Sequence, residues 1–362
     1  MNWELVTLTM LPIVILVLLG RLIKYSRLIS SSAVDDLKKM VVNIVLPAVF
    51  FPAFLSIDLH IEYLPLFFIT PLLCLVMLGV GFLFVAFVSQ KKRQKSIRRY
   101  VFERYLFTGF EAGMVGISLF SAVYGARQVG VIGIFGLGHE FFIWFILVGL
   151  LTFERQRLHR ELHRELYSEM VPIGSGGKIS TESVMNQSGE TNDGAAVLKK
   201  SLKQFLSSPV IIAILSGFTL NLMGAREFLY DNTFFMGVLA AMEYLAGMVV
   251  PLILIIIGYG LFVSLGNVRR GLRVVMIRLG VMVPVALFLN RVLISGYLGL
   301  DPVFEHALFL FLTLPPPFII PIYMPAGYTG YEEELGYVNT ILSLHTLLSL
   351  GCFFIYYAFT GV

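Results

Sequence analysis

Apolar runs of about 20 residues, the length at which a helix crosses the hydrocarbon core of a bilayer, recur from one end of the chain to the other. They fall at residues 5–24, 38–57, 65–88, 103–124, 128–153, 205–224, 234–262, 274–296, 303–324 and 336–360. One water-soluble core could not bury so many. The 362 residues are 57% hydrophobic and only 14% charged, with a mean hydropathy of +0.84. A bilayer is the solvent that such a composition fits. The expected fold is an all-α polytopic membrane protein with ten transmembrane helices.

The first run reads as an uncleaved span, because "MNWELVTLTM" has no basic leading region and no small-residue cleavage site follows it. Cys74 and Cys352 both lie inside apolar runs, make no metal-ligand pattern, and read as small core residues. All but four of the 27 basic residues lie in "RLIKYSRLISSSAVDDLKK", "KKRQKSIRRYVFER", the 154–204 stretch and "VRRGLR". These are alternate loops, so they share one side, and basic loops stay in the cytoplasm. The predicted location is the cell membrane, multi-pass, with both termini outside and the central loop cytoplasmic. The net charge of +4 is explained by this topology and by anionic lipid, with no nucleic-acid partner needed. The acidic turn "GYEEELG" also falls on the cytoplasmic side, where acidic residues count little.

The polar stretch 154–204 divides the spans five and five, so the second half enters the membrane from the opposite face. That is the arithmetic of two inverted five-helix repeats. The expected units are a first repeat over 1–153, a cytoplasmic linker loop over 154–204, and a second, inverted repeat over 205–362. Within the linker, "TFERQRLHRELHRELYSEM" continues span five as a charged helix, and "PIGSGGKISTESVMNQSGETNDGAA" reads as a flexible tether. His159 and His163 in "HRELH" lack the metalloprotease order and read as a solvated helix face. The glycosylation sequon at 186–188 would lie on the wrong side of the membrane for modification.

The fourth span of each half is interrupted. Span four, "FTGFEAGMVGISLF", carries Gly109, Gly113 and Gly116; span nine, "LTLPPPFIIPIYM", carries Pro315, Pro316, Pro317 and Pro321. Each interior proline removes a backbone donor and clashes with the preceding turn, at roughly 3 kcal/mol. Freed main-chain groups at membrane depth must line protein or a wet cavity. Helix N-termini meeting at such a crossing would hold an anion without many fixed charges. The glycines have a plainer reading in helix packing, since Gly109 and Gly113 are spaced as a small-xxx-small pair.

Several stretches resemble the auxin efflux carrier family of membrane transporters. "LKKMVVNIVLPAVFFPAF" (37–54) is similar to that family's second span, "SSPVIIAILSGFTLNLMG" (207–224) to its sixth, "VPLILIIIGYGL" (250–261) to its seventh and "YVNTILSLHTLLSL" (337–350) to its tenth. The resemblance implies an NhaA-like fold in which discontinuous spans four and nine cross near the bilayer midplane and bind substrate there. It implies a scaffold of spans one, two, six and seven, commonly homodimeric, against which the other spans move as an elevator. It also implies a small organic anion as substrate. "FEAGMVGISL" departs from the family pattern, with Glu111 where Asn is expected and Ser118 where Pro is.

An acid at the bilayer centre costs roughly 2.5–3.5 kcal/mol on insertion scales, so Glu111 reads as functional. It could carry a coupling proton, coordinate a cation such as sodium, or donate a hydrogen bond to substrate while protonated. His139 and Glu140 could relay protons with it. Asn43, one turn before Pro47, could cap a freed carbonyl or reach substrate. His345 and Glu243 are weaker candidates of the same kind. Glu305 and His306 read as interfacial, and Arg278 and Arg291 as snorkelling near the ends of span eight. No cofactor is called for. The leading reading is a secondary transporter with proton or sodium coupling. The rivals are a non-transporting sensor on the same fold and an intramembrane enzyme using Glu111, His139, Glu140, His306 and His345.

Overall fold

The computed structural model describes residues 3–57, 63–91, 101–170, 199, 202–326, 328 and 330–360. The stretch expected to form a tether, the sequon and most of the basic run after Lys91 lie outside these residues. Among the described residues every regular element is helical. Helix α1 is Trp3–Ser26, α2 is Ser31–Ser56 and α3 is Leu64–Lys91. A short 3-10 turn, Glu103–Phe107, leads to α4, Ile117–Tyr124. Helix α5 is Ala126–Leu162, α6 is Pro209–Leu222 and α7 is Ala225–Asp231. Then follow α8, Thr233–Gly260; α9, Leu265–Leu298; α10, Pro302–Thr313; and α11, Tyr331–Thr360.

Among the described residues, seven segments are long and apolar enough to cross a membrane: α2, α3, Glu103–Tyr124, α5, α8, α9 and α11. Helices α6 and α7 meet at 101° and make an eighth if taken as one span. Gly224 supplies that corner with a left-handed φ of 70°, a conformation open to glycine at little cost. Helix α10 is apolar but too short to cross alone.

Local chemistry sets the helix ends. Ser30 caps α2 by accepting the Ala33 N–H at 3.2 Å. Pro47 cannot bond to the carbonyl four residues back, and a π turn at Val41–Val45 absorbs the mismatch inside α2. Pro209 starts α6 where its missing N–H costs nothing.

Helix α1 packs on the second half of α8, and α6 packs on α2. Gly20 and Gly258 let the first pair of backbones touch, since a Cβ at either would strike a main-chain carbonyl of the other helix. Helix α3 packs on α5, and α9 on α11. Most of the large buried side chains belong to the Phe102–Phe142 region and to α10, so the densest core surrounds the two interrupted segments.

A candidate substrate cavity at the crossing

The breaks in spans four and nine meet. After the 3-10 turn the chain is extended at Thr108, turns through Gly109 at φ 68°, and enters α4 through a π turn at Ala112–Gly116. On the other side α10 stops at Thr313, and the three prolines hold the chain off helix until the 3-10 turn Ile320–Tyr323. The Glu111 N–H donates to the Pro315 carbonyl at 2.8 Å, joining the two breaks directly.

Three consecutive prolines leave the last carbonyls of α10 without helical partners. Three carbonyls at the end of α10 and in the break find donors elsewhere. The Ser349 hydroxyl of α11 donates to the Thr313 carbonyl. Arg278 of α9 donates to the Leu314 carbonyl at 3.3 Å, and Glu111 N–H serves Pro315. Arg278 also donates to the carbonyls of Leu106, at 3.1 Å, and of Gly109. Its guanidinium lies 5.0 Å from the Phe110 ring centroid. A cation at a helix C-terminus is favourable as well.

The donors freed in span four are served the same way. Phe110 N–H donates to His139 Nε2 at 2.9 Å. Glu111 caps α4 with its own carboxylate: Oε1 accepts Met114 N–H at 3.3 Å, and Oε2 accepts Phe318 N–H, across the crossing, at 2.7 Å. The half-helices therefore present one N-terminus, that of α4, and one C-terminus, that of α10. This corrects the expectation of two N-terminal ends open to an anion. The position an anion would take at α4 is filled by Glu111.

The three glycines have separate reasons. A Cβ on Gly109 would lie 2.6 Å from Pro317 Cγ, besides needing the positive φ. Gly109→Ala is expected to lower stability by about 2 kcal/mol or more, from left-handed strain and the displaced proline ring; a thermal melt in detergent checks it. At Gly116 a Cβ would press on Leu314 Cδ1 at 2.8 Å. Gly113 meets only Glu111 Oε1, at 3.9 Å, so helix packing does not require it; it faces open space.

That space is a cavity of about 510 Å³. One wall comes from α2, α6 and α8, with Leu46, Phe50, Ile211 and Ile256. The other comes from the crossing, α5 and α11, with Glu111, Gly113, Phe318, Pro321, Glu140 and Trp144. The lining is mostly apolar. Trp144 Nε1–H donates to Glu140 Oε2 at 3.1 Å. Lys38 reaches the rim but is paired with Asp35 at 2.8 Å.

Of the residues expected here, Glu111, Gly113, Pro321 and Glu140 line the cavity, while Gly109, Gly116, Pro315 and Pro317 build the crossing behind it. Pro316 lies in the same buried break. His139, 1% exposed, sits behind the crossing, its ring near Phe110 and Phe311. Asn43 does not reach it: the side chain is exposed and donates to the Lys39 carbonyl at 2.8 Å, on its own helix. His306 is no interfacial residue. It is 5% exposed and hydrogen-bonded to Tyr124 and Thr360, tying α4, α10 and α11 together. Glu305 accepts from the Ser295 hydroxyl. Glu243 is spent on Arg127 at 3.0 Å. His345, fully buried, contacts Ser349 at 3.0 Å behind the crossing. Glu334 of the acidic turn is buried too, accepting Phe102 N–H at 3.1 Å and the Tyr328 hydroxyl at 2.6 Å.

Arg278 is the largest correction. It is 1% exposed, not snorkelling. Helix α9 begins at Leu265, before the apolar run does. At roughly 1.5 Å per residue Arg278 lies about 20 Å along it. Arg291 is exposed, as expected.

A polytopic helical protein with a cavity walled on one side by two interrupted segments has the architecture of a membrane transporter. A family model described as membrane transport protein matches residues 5–348, and the chain belongs to that family, the auxin efflux carriers its spans resemble. A search of curated proteins found no match.

Proposed function

We propose that this protein is a secondary active transporter that carries a small organic solute by elevator-type alternating access. The cavity is the substrate chamber. The observation that carries this reading is its position: one wall is α2, α6 and α8, and the other is the crossing with α5 and α11. A chamber between two helix groups changes access when one group slides past the other.

The reading includes ten spans in two inverted repeats, over 1–153 and 205–362, joined by 154–204. Helix pairing supports it. Exchanging spans one with six and two with seven turns the α1–α8 contact into α6–α2, and both are present. Exchanging three with eight and five with ten turns α3–α5 into α9–α11, again both present. Helices α1, α2, α6 and α8 would be the fixed scaffold and a homodimer's contact face. The cavity rim at Lys38, Ser208 and Leu261 adjoins the basic loops, so it opens toward the cytoplasm if those loops lie there in the cell membrane.

Gly113→Cys in a Cys74→Ser, Cys352→Ser background tests the cycle, because a side chain at 113 meets open space. A membrane-impermeant maleimide is expected to label it from either face of oriented vesicles. Labelling from one face only would describe a static pocket and end the elevator reading.

A further inference from the structure

Resting on the reading of the cavity as the substrate chamber, we infer that Asn339 and Ser343 of α11 are its polar subsite, a pair of donors that holds a carboxyl group of the solute. The crossing itself is already occupied. The main-chain N–H groups of two lining residues, Met114 and Phe318, are both taken by Glu111, at 3.3 and 2.7 Å. A carboxyl group leaving water needs N–H or O–H donors, so it must find them elsewhere in the lining.

Most donors there serve the protein. The Trp144 indole N–H goes to Glu140 at 3.1 Å, the Thr346 hydroxyl to the Leu342 carbonyl at 2.8 Å, and Lys38 is paired with Asp35. Two donors on α11 are left over. Asn339 is half-buried, and its amide makes no hydrogen bond among the described residues. Ser343, 6% exposed, accepts the Phe262 N–H at 2.8 Å, and its own hydroxyl proton goes to no acceptor among the described residues. That bond fixes the oxygen and leaves the O–H to be donated. Asn339, Leu342, Ser343 and Thr346 all line the chamber, with the spacing of one helix face. Residues four apart on such a face have Cβ atoms about 5–6 Å apart, so an amide N–H and a hydroxyl can meet the two oxygens of one carboxyl group. Leu342, Phe50, Ile132 and Phe318 would surround the rest of the solute. A third unused donor, the Ser208 hydroxyl, lies at the rim on the α6 wall. Under an elevator motion the group that keeps hold of the solute must travel with it, and α11 belongs to the travelling wall.

Butyrate, succinate and 3-phenylpropionate test the assignment as carboxylate probes, with 3-phenylpropanol as the control that keeps the largest body and lacks the carboxyl group. Each is titrated calorimetrically into the protein in lipid nanodiscs near neutral pH. The wild type is expected to bind at least one of the carboxylates. Asn339→Leu removes the amide at similar volume and breaks no bond within the protein. It should weaken that carboxylate about tenfold and change the alcohol less than about threefold. Asn339→Asp, which exchanges the donors for a further acid, should weaken it more. Ser343→Ala should also weaken it about tenfold, so the test does not hang on one position. Wild-type affinity in both Asn339 variants, equal weakening of acid and alcohol, or no binding of any carboxylate by the wild type overturns the subsite. If one of these occurs while Gly113→Cys still labels from both faces, the chamber stands and only its polar subsite falls. A carboxylate-specific loss together with labelling from one face keeps the subsite and ends the elevator reading.

Discussion

Replacing Arg278 by methionine is expected to cost about 3 kcal/mol or more and to disorder the crossing. Methionine fills a similar volume but donates nothing. The carbonyls of Leu106, Gly109 and Leu314 would then be buried without the donor they now share. A buried acceptor left unsatisfied costs about 1–3 kcal/mol, and three of them outweigh what is regained by no longer burying a guanidinium. Lysine should recover only part of the loss. Its ammonium is a point donor and cannot span Gly109 and Leu314 as the planar fork does. The check is a thermal melt of wild type, Arg278→Met and Arg278→Lys in one detergent, expected to fall in the order wild type, Lys, Met. A methionine variant as stable as wild type would mean that water or lipid already serves those carbonyls.

The same residue marks the limit of what could be read from the sequence. The interruptions were legible because proline and repeated glycine act locally: a missing N–H at Pro315, Pro316 and Pro317 stops a helix whatever surrounds it. The acid at the break was legible because Glu111 is costly in an apolar run. What filled the break was not legible, since Arg278 and Ser349 arrive from α9 and α11 and the relevant distance is set by packing. Hydropathy also misplaced Arg278. The basic "VRRGLR" is the first part of α9, and what buries Arg278 beyond it is the packing of α9 against the crossing. The direction of the half-helices was hidden too. Proline says where a helix ends and says little about whether another begins, and among the described residues after Pro317 a 3-10 turn is the one helical element before Tyr331. Asn43 failed for a simpler reason. A residue one turn before a proline lies on a definite face of α2, and that face turned out to be exposed, with Val42 and Leu46 toward the cavity.

Glu111 should separate two functions that the crossing combines in one side chain. As a cap it holds Met114 N–H and Phe318 N–H; as a charge it faces the cavity. Alanine removes both, and the loss of one cap bond and one buried cross-segment bond is expected to cost about 2–4 kcal/mol. Aspartate keeps the charge but is one methylene shorter, so it cannot reach Phe318 while capping Met114. Glutamine is the informative change. It keeps one acceptor and turns an NH₂ toward the second donor, so stability should fall by about 1–3 kcal/mol. The titratable carboxylate is gone, however, and solute flux into proteoliposomes should drop by more than the loss of folded protein explains, on the order of tenfold or greater. Melting curves give the first quantity, and flux normalised to folded protein gives the second. If Glu111→Gln lowers the melt yet carries the solute at the wild-type rate with the same pH dependence, the carboxylate serves only to join the two broken spans.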